Sequence, residues 1–164
     1  MILKMENVIK RYGKHLALDY LSLEVNKGEV IGLLGPNGAG KTTCIKSVVG
    51  LLPIDEGEIA VFNMKHEVAS KEIRSKIGYV TQEITIYEDM TAKENLAFFG
   101  SLYGLPKKAL EERITEVAQI IGLEDRLNER PSKFSGGMKR RLNIGCSILH
   151  RPQLLIMDEP TVGI

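Results

Sequence analysis

The run Gly35-Pro36-Asn37-Gly38-Ala39-Gly40-Lys41-Thr42 constrains this chain more than any other feature. It fits G-x-x-x-x-G-K-[ST], a pattern whose successive backbone N–H groups face one concavity. The apolar, β-favouring run Val30-Ile31-Gly32-Leu33-Leu34 enters it, and an amphipathic stretch over residues 42–51 leaves it. Strand, glycine turn and helix in that order set the concavity at a helix N-terminus, where partial positive charge collects. Glycine at 35, 38 and 40 allows backbone angles and a close approach that a Cβ would block. Lys41 then offers a compact cation to β- and γ-phosphates, and the Thr42 hydroxyl can ligate Mg²⁺. Such a chain binds a nucleoside triphosphate or descends from one that did.

Its 164 residues suit one domain with a real core. Basic and acidic side chains nearly cancel, 22 against 21, so no overall field draws the chain to nucleic acid. The cluster Lys139-Arg140-Arg141 reads as a solvated helix face. Cys44 and Cys146 lie too far apart for a disulfide framework or zinc site and read as small, buried or half-buried residues in a reducing cytosol. No apolar run approaches the roughly 18 residues of a membrane span, and residues 1–6 lack a signal peptide's apolar stretch.

Strands are expected at residues 2–9, 21–25, 30–34, 59–62, 77–80 and 154–157, with a polar turn over 10–14 around Gly13. Helices are expected at 42–51 and 71–76. Thr91-Ala92-Lys93-Glu94 is a capping box, hydroxyl and carboxylate each serving a free N–H of the other, and opens a helix running to about Tyr103. The next helix, over 107–121, places Leu110, Ile114, Val117 and Ile121 on one stripe. The middle of the chain is therefore helical and its ends carry the strands, an α/β core with a helical insertion.

An apolar strand ending in an acid supplies what a phosphate loop still needs. Asp158, at the end of 154–157, can hold Mg²⁺ through water while Thr42 ligates the same ion, and Glu159 can polarise an attacking water. Taken alone, Asp158-Glu159-Pro160 reads equally well as a surface turn; the loop at 35–42 favours the chemical role. Ser135-Gly136-Gly137, ahead of a helix with Leu142, Ile144, Ile148 and Leu149, forms a second anion-binding helix N-terminus. Two phosphate-facing elements in one chain suggest two nucleotides and hence a dimer.

On these residues the chain resembles, from end to end, the nucleotide-binding subunit of ATP-binding-cassette (ABC) transporters. The resemblance implies a P-loop NTPase α/β core with an N-terminal antiparallel β subdomain and a helical signature subdomain, missing its C-terminal strands. One ATP-binding domain, incomplete, would cover 1–164: β subdomain and Walker A core over about 1–82, helical subdomain over about 83–150, Walker B strand over about 153–159. Tyr12 corresponds to the aromatic that stacks on adenine, though it reads also as an aromatic covering a strand edge. The Walker A residues Gly35, Pro36, Asn37, Gly38, Ala39, Gly40, Lys41 and Thr42, with Thr43, would bind the nucleotide. Gln82 corresponds to the Q-loop glutamine that approaches Mg²⁺ and relays to the membrane partner, or is simply a polar residue ending a strand. Ser135, Gly136 and Gly137 match the signature motif, Asp158 the Walker B aspartate and Glu159 the catalytic glutamate. Thr42, Gln82 and Asp158 would surround the metal. The cofactors implied are ATP and Mg²⁺. The partners implied are transmembrane permease subunits and a second nucleotide-binding subunit, same or different, at the cytoplasmic face of the membrane, with no nucleic acid.

Two departures stand out. Phe134 and Met138 replace the first and fifth residues of the usual Leu-Ser-Gly-Gly-Gln signature, and with residues 87–106 they resemble an exporter subgroup, the ABC-2 type. The family also continues past Asp-Glu-Pro-Thr into a D-loop and a switch histidine, whereas Ile164 ends this sequence inside the D-loop and His15, His66 and His150 all precede Walker B. The resemblance thus implies a truncated product or fragment, which leaves two alternatives: a working exporter ATPase, or a nucleotide-binding piece of poor stability and little turnover. A soluble relative acting on ribosomes or in DNA repair would carry tandem cassettes or a long coiled-coil insertion, and this sequence carries neither.

Overall fold

Leu3, Met5, Val8 and Ile9 are buried on the first strand, and their uneven spacing follows from irregularities in its pairing, one of them beside Asn7 at φ 49°. The computed structural model describes residues 1–65 and 71–160, in two compact units, Met1–Arg74 and Ser75–Ile164. The expected D-loop residues 161–164 lie outside the described residues. In the first unit, β1 (Leu3–Tyr12) pairs antiparallel with β2 (His15–Val25), and Tyr12 faces His15 across a Gly13-Lys14 turn. β3 (Glu56–Val61) takes β1's other edge and β4 (Met64–Lys65) follows it, in the order β2-β1-β3-β4. Helix α1 (Lys41–Val48) buries Cys44, Ile45 and Val48, and the Cys44 Sγ lies 3.7 Å from Met5 Sδ. A short helix α2 (Lys71–Arg74) closes the unit, two residues shorter than expected.

Two expectations fail in this unit. Residues 10–12 belong to β1 rather than to the turn, and β2 begins at His15. The reason is Asp55: its carboxylate accepts from Lys10 Nζ (3.0 Å) and from the Arg11 N–H (2.6 Å), while Arg11 Nη1 reaches Glu56 (2.9 Å). Polar residues that would otherwise favour a turn are thereby held extended. The expected strand at 30–34 does not form. Val30 is 100% and Leu34 96% exposed, and among the described residues no ladder pairs with them. β-Propensity is a preference for a pleated, packed surface and cannot hold a strand without a neighbour.

In the second unit β5 (Ile77–Val80) pairs in parallel with β6 (Leu154–Met157), Ile77 opposite Leu154 and Val80 opposite Met157. A parallel pair needs a long crossover, and this one contains α3 (Ala92–Leu102), α4 (Lys107–Ile120) and α5 (Gly136–Ile148). The α3 capping box forms as expected: Thr91 Oγ1 accepts from the Glu94 N–H (3.1 Å) and Glu94 Oε2 from the Thr91 N–H (2.7 Å). The stripe Leu110, Ile114, Val117 and Ile121 packs with Leu96, Phe134, Leu142, Cys146 and Leu149 into one core. Each such side chain contributes about 1.5–3 kcal/mol by leaving water. α5 lies tight on β5 because Gly78 has no side chain; a Cβ there would sit 2.6 Å from the Ser147 carbonyl oxygen. Among the described residues no helix is long and apolar enough to cross a membrane.

Candidate functional site

The first unit carries the phosphate loop. Gly38 and Gly40 adopt φ 84° and 86°, a region L-residues avoid, and a Cβ on Gly40 would collide with the Ala17 carbonyl oxygen of β2. Gly40 is also the N-cap of α1, with no side chain capping the helix and no acid in its first turn. Such a helix start presents backbone N–H groups and partial positive charge, which suits an anion. Lys41 Nζ folds back over the loop and donates to the carbonyls of Gly35 (2.6 Å) and Pro36 (3.1 Å), so its charge sits at the loop's own mouth. The remaining loop residues Pro36, Asn37 and Ala39 are exposed, and Thr42 and Thr43 lie partly exposed at the start of α1.

Tyr12 is half exposed at the β1–β2 hairpin, opposite His15 and near Lys10, whose Nζ is 5.9 Å from its ring centre. Two residues beyond His15, Ala17 touches Gly40, so the hairpin end lies beside the loop.

The second unit carries the acidic strand end. Asp158 is buried at 3% exposure, and its N–H extends the parallel ladder to the Val80 carbonyl (2.9 Å). Burial, and then the Asp158 charge, raise the Tyr79 phenol above its ordinary value. Glu159 holds φ 46°, a strained conformation for a residue with a Cβ. Its Oε2 accepts from Gln82 Nε2 at 3.2 Å, so residues 77 positions apart meet. Among the described residues no three His, Cys, Asp or Glu cluster to hold a metal; Mg²⁺ is characteristically bound by one or two protein ligands with water and phosphate oxygens completing the shell.

Ser135 is the N-cap of α5, and its hydroxyl accepts from the Met138 N–H (3.3 Å). Gly136 is exposed and Gly137 has open space where a Cβ would stand. The two departures from the usual signature are packing choices. Phe134 is in the helical core, and Met138 lies against it.

The expectation of a solvated face at 139–141 holds at Arg141, which is exposed, and fails at Arg140. Arg140 is 1% exposed: Nη1 donates to the Thr81 carbonyl (2.7 Å) and Nη2 to that of Glu159 (2.8 Å). Arg141 donates to the carbonyls of Ile121 (2.8 Å) and Gly122 (3.0 Å), and Lys139 pairs with Glu88. Asn143 Oδ1 accepts from the Thr85 N–H (3.2 Å) and hydroxyl (3.1 Å), while Ser147 Oγ donates to Tyr79 O (3.0 Å). The signal for these residues is helical spacing. Residues 140, 143 and 147 form a polar stripe on α5 beside the apolar stripe 142, 146 and 149.

The family profile described as ABC transporter matches residues 18–162. This chain belongs to the ABC transporter family. It is an ATP-binding domain of that family, and over 163 residues it is 48% identical to the linearmycin resistance ATP-binding protein LnrL of Bacillus subtilis, covering 99% of this chain and 52% of that one. The Nod factor export ATP-binding protein I of Sinorhizobium fredii is 43% identical, covering 99% and 47%. The bacitracin transport ATP-binding protein BcrA of Bacillus licheniformis is 40% identical, covering 99% and 52%. The ABC domain described here therefore spans about half the length of the curated relatives it matches. Among solved structures, an ATP-binding subunit of an ABC transporter superposes with a TM-score of 0.87 at 32% identity, covering 99% of this chain and 68% of that one. A dimeric ATP-binding cassette in a post-hydrolysis state, bound to ADP and Pi, gives 0.86 at 27%, covering 99% and 76%. The fold is that of ABC ATPase domains.

Proposed function

We propose that this ABC domain binds ATP with Mg²⁺ and, in the full-length protein, hydrolyses it to drive an exporter. The observation that carries the reading is Gly40, left-handed against the Ala17 carbonyl with α1 beginning at the next residue and no side chain capping it. That backbone is shaped for an anion. Gly35 to Thr43 bind the phosphates, with Lys41 as their charge, and Tyr12 stacks on the base. Thr42, Gln82 and Asp158 surround Mg²⁺, and Glu159 polarises the attacking water. Ser135, Gly136 and Gly137 face a second subunit's ATP, so that binding closes a dimer and hydrolysis opens it. Permease subunits at the cytoplasmic face of the membrane receive that motion. Relatives named for linearmycin resistance, Nod factor export and bacitracin transport support export as the direction.

A second reading has its own support. The exposed, unladdered apolar residues 30–34 favour a nucleotide-binding domain with little turnover, since apolar chain left in water costs stability and invites association. One experiment tests the first reading. The full-length protein carrying Glu159→Gln, weighed in solution, is expected as a monomer with ADP and a dimer with ATP and Mg²⁺. A mass that ignores the nucleotide overturns ATP-driven dimerisation.

A further inference from the structure

We propose that Arg140 is a positioning residue that aims the Glu159 carboxylate at its water. The inference rests on Glu159 being the water-polarising group, as proposed above. The guanidinium spans the ends of both strands of the parallel pair. It donates 2.7 Å to the carbonyl of Thr81, the residue before Gln82, and 2.8 Å to the carbonyl of Glu159 itself. It is 1% exposed, and its Nε has no partner among the described residues. A buried cation directed at two backbone carbonyls is costly unless both bonds form. The two bonds set the spacing of the two segments, and across that spacing Gln82 Nε2 meets Glu159 Oε2 at 3.2 Å.

Glu159 needs such a clamp. At φ 46° its backbone is strained, and such a residue persists only where its surroundings hold it. Released, it would turn toward an ordinary conformation and swing the carboxylate away from Gln82. Lysine cannot replace the clamp, because a single ammonium lacks the planar fork that reaches both carbonyls. Asn143 and Ser147, on the same stripe of α5, bind Thr85 and Tyr79, so the helix is anchored along the whole segment, and of these three residues it is Arg140 that reaches across to Glu159. The same helix begins at the Ser135 cap, which gives any displacement of α5 a direct route to Glu159.

The test uses the full-length protein and single-turnover phosphate release in four forms: parent, Arg140→Lys, Glu159→Gln and the double variant, with Arg140→Gln as a second probe of the same position. Arg140→Lys should slow the chemical step at least about tenfold, as expected for a base displaced by a fraction of an ångström, with KM for ATP within about threefold of the parent. The double variant should be no slower than Glu159→Gln alone, because Arg140 acts through the carboxylate. Losses that multiply would overturn the inference, since Arg140 would then act elsewhere. A full rate in Arg140→Lys and Arg140→Gln, with Glu159→Gln slow, overturns this inference and leaves the proposed function standing. A full rate in Glu159→Gln overturns both. If neither Arg140 variant melts cooperatively, Arg140 is a folding residue and the positioning role is lost.

Discussion

The phosphate loop and the acidic strand end place polar groups by different means. In residues 35–42 the geometry is backbone: two left-handed glycines, one of them against Ala17, bring a helix start and one lysine to a single turn of chain. At the end of β6 the geometry is made by side chains from three distant stretches, with Gln82 and Arg140 meeting Glu159. The first arrangement fits within a short run of sequence and needs small residues. The second needs the second unit's helical core to be folded before any of it exists.

The substitutions that separate these cases fall in a definite order. Glu159→Gln in the full-length protein should retain ATP binding and slow single-turnover hydrolysis by about 10²–10⁴; an unchanged rate would remove the chemical role from the side-chain arrangement. Gly40→Ala comes next. A left-handed alanine against a carbonyl oxygen should cost roughly 2–5 kcal/mol in strain and displacement, seen as weaker nucleotide binding with a lower melting temperature. A normal loop in that variant would show that the backbone argument is wrong.

Lys41→Ala should weaken ATP binding by about 2–3 kcal/mol in calorimetry, the worth of its charge-assisted contacts, while leaving the melting temperature nearly unchanged. An affinity within about threefold, roughly 0.7 kcal/mol, would show the loop binding by backbone alone. Thr91→Ala removes half of the α3 capping box and should lower unfolding free energy by about 0.5–2 kcal/mol in urea titration. No loss would mean that packing alone sets the start of α3.

The smallest effect concerns His150, stacked on Tyr103 with ring centres 3.6 Å apart. Burial first, and then the Arg113 charge, hold its imidazole below the ordinary value, against a contrary bond to Ile77 O. The unfolded chain therefore takes up the proton first. Stability from this group is present above the ordinary histidine value near 6.5 and is lost as pH falls from there through the folded value. The urea midpoint should drop between pH 7.5 and 5.5, and His150→Asn should flatten that slope. An equal slope in both proteins would assign it to other groups.

Much of this was legible in the residues. The loop, the capping box at Thr91 and the stripe through Leu110, Ile114, Val117 and Ile121 each depend on spacing within one or two turns, and each is found. Cys44 and Cys146 are both buried free thiols, their values pushed up by burial to about 11 and about 12. The failures share a cause. Arg140 looks solvated because charge is read as exposure, yet the carbonyls of residues 81 and 159 receive its guanidinium and it is buried. Residues 30–34 look like a strand because composition carries propensity and not a neighbour.

By itself, then, the sequence determined whatever local periodicity and chain chemistry can set: a glycine loop ahead of a lysine, helix caps, apolar stripes and the acid at a strand's end. The tertiary structure decided which polar groups become partners. Gln82, Arg140 and Glu159 meet only because α5 packs on β5 at Gly78 and β6 pairs beside it, and pairing across such distances in the chain follows from packing, which no local pattern encodes.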